Sequence, residues 1–364
     1  MTRGGEGTRR RHDRRPLALA LASVVAAGAL VACRGLLGID DDVALLPAAS
    51  DAGGALEDGT TPATDGSPIA DAANDVPNGF DAAFDAGVTT VDRRFAVWPL
   101  PPVKPLLSNY VLTADTVTDK TTGLEWERND SSPATMAYAG GSTYCAGLSM
   151  GGQTDWRLPT RIEALTFLDY GQTLGLLNQA VFPDGALPSS PVGLWTDSIS
   201  LLNAKLDERF QIDLELSLVT IAPNTSISNR IKCVRGGPTT SPVTRYDVAS
   251  GAARDVRTGV VWQVAPVATT KLLADAKLAC QSLTLGGVGG WRLPTVRELV
   301  SLIDESREVV PLLPPLFQPG PAARFWSSTA RAKDPAATYV VDFETANVQA
   351  EDSAAAALSV RCVR

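Results

Sequence analysis

The sequence predicts an α+β protein made of two tandem copies of one small domain, each closed by its own disulfide. Three observations predict it. Five sequence landmarks recur in the same order at nearly the same spacing, a pattern to be sought before any element is assigned. Helix-start signals and alternating strand segments fall at matched places in both copies, and four of the five cysteines fall two to a copy.

The elements follow in chain order. The first fifteen residues hold Arg3, Arg9, Arg10, Arg11, Arg14 and Arg15, and Pro16 to Ala32 is almost entirely Ala, Leu, Val and Gly. That is a signal-peptide layout. The apolar run sits at the lower limit for a membrane span and ends in Leu30-Val31-Ala32-Cys33, which fits the bacterial lipobox. Residues 1–32 are therefore expected to be removed and Cys33 to be lipidated; an uncleaved N-terminal anchor is the alternative. Either way the chain is expected to be exported and held in the cell envelope. Arg34, standing where some bacteria place a retention aspartate, favours the outer membrane, where a surface-exposed position is one alternative.

Residues 33–100 read as a disordered acidic linker rich in Ala, Asp, Gly, Pro and Thr. Such a stretch buries too little apolar surface to offset its ordering entropy and behaves as an extended tether. Of the 32 basic and 40 acidic side chains, six basic and two acidic lie in residues 1–32, which leaves 26 against 38, a charge of −12. Twelve of those acids lie in residues 34–100. The balance argues against nucleic acid as a partner.

The first domain is expected at 101–237 and the second at 238–364, with Gly236 to Pro242 as the joint. Thr122-Gly-Leu-Glu-Trp126 returns as Thr258-Gly-Val-Val-Trp262, and Cys145 followed by Trp156-Arg-Leu-Pro-Thr160 returns as Cys280 followed by Trp291-Arg-Leu-Pro-Thr295. Leu194-Trp-Thr-Asp-Ser198 answers to Phe325-Trp-Ser-Ser-Thr329, and Ile231-Lys-Cys-Val-Arg235 to Val360-Arg-Cys-Val-Arg364. Thr160 to Glu163 and Thr295 to Glu298 each have the T-x-x-E form of a capping box. The apolar spacing that follows predicts helices over 161–169 and 296–304, and amphipathic segments 134–148 and 269–283 predict an earlier helix carrying Cys145 or Cys280. Alternation at Gly123 to Trp126, Gln211 to Leu216 and Thr338 to Phe343 predicts strands.

With Cys33 taken by lipid, an even remainder in an oxidising compartment implies two disulfides. Pairing Cys145 with Cys233 and Cys280 with Cys362 keeps the copies equivalent; pairing across the copies is the alternative. Metal is not expected, because no C-x-x-C pair exists and the single histidine is His12. No cofactor is expected either.

An enzyme needs a nucleophile, base or metal, and beyond His12 the chain offers neither histidine nor a spare thiol. The remaining catalytic option is a glycosidase carboxylate pair drawn from Glu125, Asp197, Asp304 and Asp342. Glu125 and Asp197 have no carboxylate at the matched place in the other copy, where Val261 and Ser328 stand, and an enzyme is not expected. Arg157 and Arg292 are candidates for an anionic ligand, with a structural hydrogen-bonding role inside their motif as the alternative. Trp195 and Trp326, in a loop-like Trp-Ser/Thr context, are the candidates for stacking on a sugar, whereas Trp126, Trp156, Trp262 and Trp291 are expected in the core.

At Trp-Arg-Leu-Pro-Thr, Phe-Trp-Ser-Ser-Thr and Val-Arg-Cys-Val-Arg the sequence resembles the Lcl C-terminal domain family, a bacterial domain of unknown function named from a collagen-like surface adhesin. It is more loosely similar to the formylglycine-generating family. The resemblance implies a C-type-lectin-like fold for each copy, and a recognition or adhesion module binding glycan or protein. Two departures qualify that implication: residues 34–100 carry no glycine at every third position, and the near-neutral domains lack the basic patch that sulfated glycans need. A structural envelope protein with a protein partner, and a carbohydrate-active enzyme, are the competing readings.

Overall fold

A computed structural model describes residues 88–129, 135–173, 176–183, 193–202, 208–214, 219–223 and 227–364. The signal segment, Cys33 and most of the linker lie outside the described residues.

Each copy opens on a hairpin. In the first copy β2 (Tyr110–Leu112), β3 (Thr116–Asp119) and β4 (Leu124–Glu127) run antiparallel, and β8 (Val234–Gly236) closes the sheet in the order β2-β3-β4-β8. In the second, β10 (Tyr246–Ala249), β11 (Ala252–Asp255) and β12 (Val261–Gln263) repeat the hairpin, and Trp262 bridges to Val363 where Trp126 faces Val234. The Thr-Gly landmark is the β3–β4 turn and its β11–β12 counterpart. Gly123 and Gly259 adopt φ of 69° and 80° and donate their amides to the carbonyls of Asp119 and Asp255, a conformation that strains any side-chain-bearing residue.

The second layer of each copy is two short helices and a three-stranded sheet. α1 (Tyr138–Gly147) and α2 (Arg161–Thr166) precede β5 (Gly193–Ile199), β6 (Glu208–Asp213) and β7 (Val219–Pro223); α3 (Leu273–Gln281) and α4 (Val296–Ser301) precede β13 (Arg324–Arg331), β14 (Asp334–Asp342) and β15 (Val348–Asp352). Each predicted helix exists and is shorter than the apolar pattern suggested. The periodicity continues past Thr166 and Ser301 because the next residues, Phe167, Leu168, Leu302 and Ile303, stay buried after the helix stops. Where α1 crosses the last segment of its copy, a Cβ on Gly141 would lie 2.2 Å from Ile231 Cδ1. At the matched place the second copy has the fully buried Ala276.

The disulfides are Cys145–Cys233 and Cys280–Cys362, spanning 88 and 82 residues, as the equivalence of the copies requires. Each joins the first helix to the last segment. Closing loops of this length stabilises the fold by about 4 kcal/mol in the chain-entropy description.

Two features depart from the sequence expectation. Residues 88–100 were placed in the linker, yet β1 (Val88–Thr90) pairs antiparallel with β9 (Thr240–Pro242) on the joint, and Ala96 and Trp98 are buried in the core. The composition of the stalk hides this because its apolar residues are sparse until Phe95. The two copies also share one hydrophobic core, in which Trp126, Phe167 and Tyr170 of the first copy join Trp262, Leu299 and Tyr339 of the second. Rings of Tyr170 and Tyr339 meet edge-to-face with centroids 5.0 Å apart.

Charged groups cross that shared core. Arg161 and Glu305 are both fully buried, with Arg161 Nε 2.5 Å from Glu305 Oε1. Arg297 lies at the N-terminal turn of α4, one place along from the position matching Arg161. It donates to the carbonyls of Thr166 and Leu168 in the first copy and sits 5.8 Å over the Tyr170 ring. Tyr170 and Glu305 themselves occupy matched positions after α2 and α4. Each copy therefore sends a helix-start arginine to the same place on the other, the reciprocal pattern of a two-fold interface.

Candidate functional site

The landmark motifs form one hydrogen-bonded lock, built twice. Thr160 Oγ accepts from the Glu163 amide, and the Glu163 carboxylate accepts from the Thr160 amide. Arg157 then grips the same carboxylate with two hydrogen bonds of 2.6 and 2.7 Å. In the second copy Thr295, Glu298 and Arg292 repeat the arrangement, and the bidentate contact with Glu298 pushes the Arg292 pKa up. Bidentate arginine–carboxylate pairs are directional as well as charged, so this one fixes the loop before the helix. Arg157 and Arg292, offered as anion ligands, are instead committed to Glu163 and Glu298.

The Trp-Ser/Thr landmark completes the lock from the neighbouring sheet. Thr196 Oγ1 and Ser327 Oγ donate to the carbonyls of Phe210 and Tyr339 across irregular β5–β6 and β13–β14 pairings. Two residues later, Ser198 and Thr329 hydroxyls accept from the first amides of α2 and α4, which have no partner inside the helix. The tryptophans between these contacts point inward. Trp195 and Trp326 are fully buried, and their indole N–H groups donate to the carbonyls of Met136 and Lys271 at 2.9 and 2.8 Å. Neither offers a ring face to a sugar. The loop-like composition misled because the Ser and Thr side chains serve strand irregularity and helix capping rather than a turn.

The four carboxylates considered for glycosidase chemistry are engaged separately. Glu125 pairs with Arg235, which also holds Asp155 at 2.6 Å. Asp304 accepts from the amide and hydroxyl of Ser306, and Asp342 from the amides of Glu344 and Thr345. Asp197 belongs to a different arrangement.

That arrangement is a surface cluster on the first copy. Tyr138, at the start of α1, donates its hydroxyl to Asp197 Oδ1 at 2.5 Å, and the Arg209 guanidinium lies 4.3 Å over the Tyr138 ring. Arg209 also donates to the Asp197 carbonyl and stands 3.7 Å from its carboxylate, which is 54% exposed. Tyr138 and Arg209 were not singled out from sequence. The signal was available: where the copies otherwise match, Leu273, Ser328 and Thr338 stand in place of Tyr138, Asp197 and Arg209, so the fold does not require the trio.

The chain matches the Lcl C-terminal domain family twice, over residues 115–235 and 251–364. It belongs to that family. No curated protein and no solved structure matches the chain. Each Lcl match contains one landmark lock, whereas the Tyr138 cluster occurs in one copy alone.

Burial, reinforced by Asp197, pushes the Tyr138 phenol up to about 12, and burial likewise raises Tyr110, Tyr170 and Tyr246. A phenol whose folded pKa exceeds its unfolded value near 10 contributes stability that is present below pH 10 and lost as pH climbs through the folded value. Four of the six tyrosines are therefore expected to titrate above pH 10 in an absorbance titration at 295 nm, with unfolding setting in over the same range. Ionisation of all six near pH 10 while the protein stays folded would contradict the burial of these side chains.

Proposed function

We propose that this Lcl protein is a non-enzymatic, lipid-anchored recognition module of the cell envelope, exported through residues 1–32 and anchored at Cys33, with its binding surface on the first copy at Tyr138, Asp197 and Arg209. The observation that carries it is the arginine–tyrosine–aspartate cluster, which sets the exposed Asp197 carboxylate beside a part-buried Tyr138 ring and a largely buried Arg209, and which the second copy does without. Tyr and Arg are the side chains that supply most energy at recognition surfaces, and an exposed carboxylate beside an aromatic ring meets the hydroxyl and C–H faces of a sugar. The disulfide-bound state of the four cysteines in the copies and the separate engagement of the candidate carboxylates support a binding role over a catalytic one. A C-type-lectin-like fold for each copy is in keeping with the disulfide from first helix to last segment.

A second reading, a structural envelope protein with a protein partner, is favoured by one specific observation. Leu106, Leu107 and Val111 are 70, 52 and 50% exposed at the edge strand β2, and clustered exposed apolar groups mark protein contacts. Both readings meet one experiment: the full-length protein on a glycan array and, separately, photo-crosslinked in the envelope, beside the Asp197→Ala/Arg209→Ala variant. Saturable glycan binding that the folded variant loses supports the first reading. Crosslinks to a protein that survive in that variant and disappear in Leu107→Asp/Val111→Asp support the second, and an absence of both overturns them together.

A further inference from the structure

The second copy carries a cavity of about 170 Å³ between the proline-rich segment 311–323 and the ends of β13 and β14. Leu313, Phe325 and Phe343 form its floor, Pro319 and Pro321 its wall, and Glu344 its rim. The floor is rigid. Phe325 and Phe343 pack edge-to-face at 5.2 Å, and Ser359 Oγ bonds both the amide and the carbonyl of Ala322. From below, the buried Arg361 holds the carbonyls of Gln263, Val264 and Gln318 and stands 5.6 Å from the Phe325 ring.

The rim is different in kind. Asp342 has a structural task, since it accepts the amides of Glu344 and Thr345 and so shapes the turn. The Glu344 carboxylate is exposed and has no hydrogen-bond or ion-pair partner among the described residues. Yet the same Asp-apolar-Glu order stands in the first copy as Asp213-Leu214-Glu215. Beside the rim, the Leu312 amide donates to the Phe343 carbonyl, which brings Val309 and Val310, 64 and 48% exposed, next to the Glu344 turn.

We propose that this cavity receives a lysine side chain of a protein partner. Its volume is below the roughly 300 Å³ at which small-molecule sites begin, and suits a single side chain. An apolar floor with a carboxylate at its edge complements an alkyl stem ending in a cation. A lysine laid across the floor sets its methylenes on the Phe325 and Phe343 rings and its ammonium at Glu344, away from the charge of Arg361 beneath. The Val309–Val310 shelf then takes the partner's neighbouring apolar residues. This site lies on the other copy from the Tyr138 cluster, and it stands whether or not that cluster binds anything.

The test is saturation-transfer NMR on the full-length protein with Nα-acetyl-lysine methylamide and with Nα-acetyl-norleucine methylamide, which has the stem without the charge. The lysine probe is expected to bind about five-fold more tightly, the scale of one solvent-facing charge pair. Glu344→Gln should erase that preference at unchanged thermal stability, and Ala323→Leu, which narrows the cavity, should weaken both probes. Equal binding of the two probes, a preference that survives Glu344→Gln, or no binding of either probe overturns the proposal.

Discussion

Replacing Arg161 with Met is expected to cost about 3–5 kcal/mol at pH 7, although no ligand or catalytic chemistry is attached to it. The substitution removes one partner of a fully buried pair and leaves Glu305 without its cation. Burial already pushes the Glu305 carboxyl up, against the pull of Arg161 and Ser198. Without Arg161 it rises further, so the variant's deficit shrinks as pH falls toward that raised value and Glu305 takes a proton. The reverse substitution, Glu305→Leu, leaves the buried Arg161 guanidinium without its carboxylate and is expected to cost at least as much. The double variant Arg161→Met/Glu305→Leu replaces the pair by apolar volume and should recover most of the loss, because the desolvation of both ions disappears together. Urea unfolding of the four proteins at pH 7 and pH 5 measures the cycle. Additive losses would mean the two groups do not act as a pair, and independent unfolding of the two copies would contradict a shared core.

Much of the fold was legible because the chain writes it twice. Alternation from Gly123 to Trp126 predicted a strand and T-x-x-E the helix starts, each a local signal whose physics needs only neighbouring residues, while the two-per-copy cysteines predicted the bridges through the equivalence of the copies. What escaped was whatever depends on the other copy. Arg161, Arg297 and Glu305 carry no local sequence signal of burial, and only the packing of α2 against α4 reveals that they face the other copy. Trp98 escaped for a related reason, since a single tryptophan at the end of an acidic stretch carries no period. Trp195 and Trp326 were offered as ligand contacts for their loop-like Trp-Ser/Thr context, and their burial places them in the core. Trp195, Trp326, Arg157 and Arg292 recur because the fold needs them, and a residue occupied by the fold in both copies has little left to offer a ligand. The proposed site draws instead on positions that differ, Tyr138, Asp197 and Arg209.

The burial of the tryptophans has a measurable consequence at Trp326. A sugar-contacting tryptophan on a surface loop can be truncated to alanine with little loss of stability, usually within 0.5 kcal/mol. Trp326→Ala is expected instead to cost about 3–5 kcal/mol, because it empties a fully enclosed ring volume. The indole packs in the same cluster as the Cys280–Cys362 bridge, Trp291 and Val340, so the loss falls on the covalent closure of its copy. Trp326→Phe separates the two contributions: it keeps most of the apolar volume but removes one of the two N–H donors of the Lys271 carbonyl, which still accepts from the Leu358 amide, a loss of about 0.5–1.5 kcal/mol. Thermal unfolding of the oxidised proteins should rank them wild type, Trp326→Phe, Trp326→Ala. Because Trp195 makes the matching bond to Met136, Trp195→Ala should behave in the same way in the first copy. A Trp326→Ala protein as stable as wild type would return this residue to the surface and reopen it as a ligand contact.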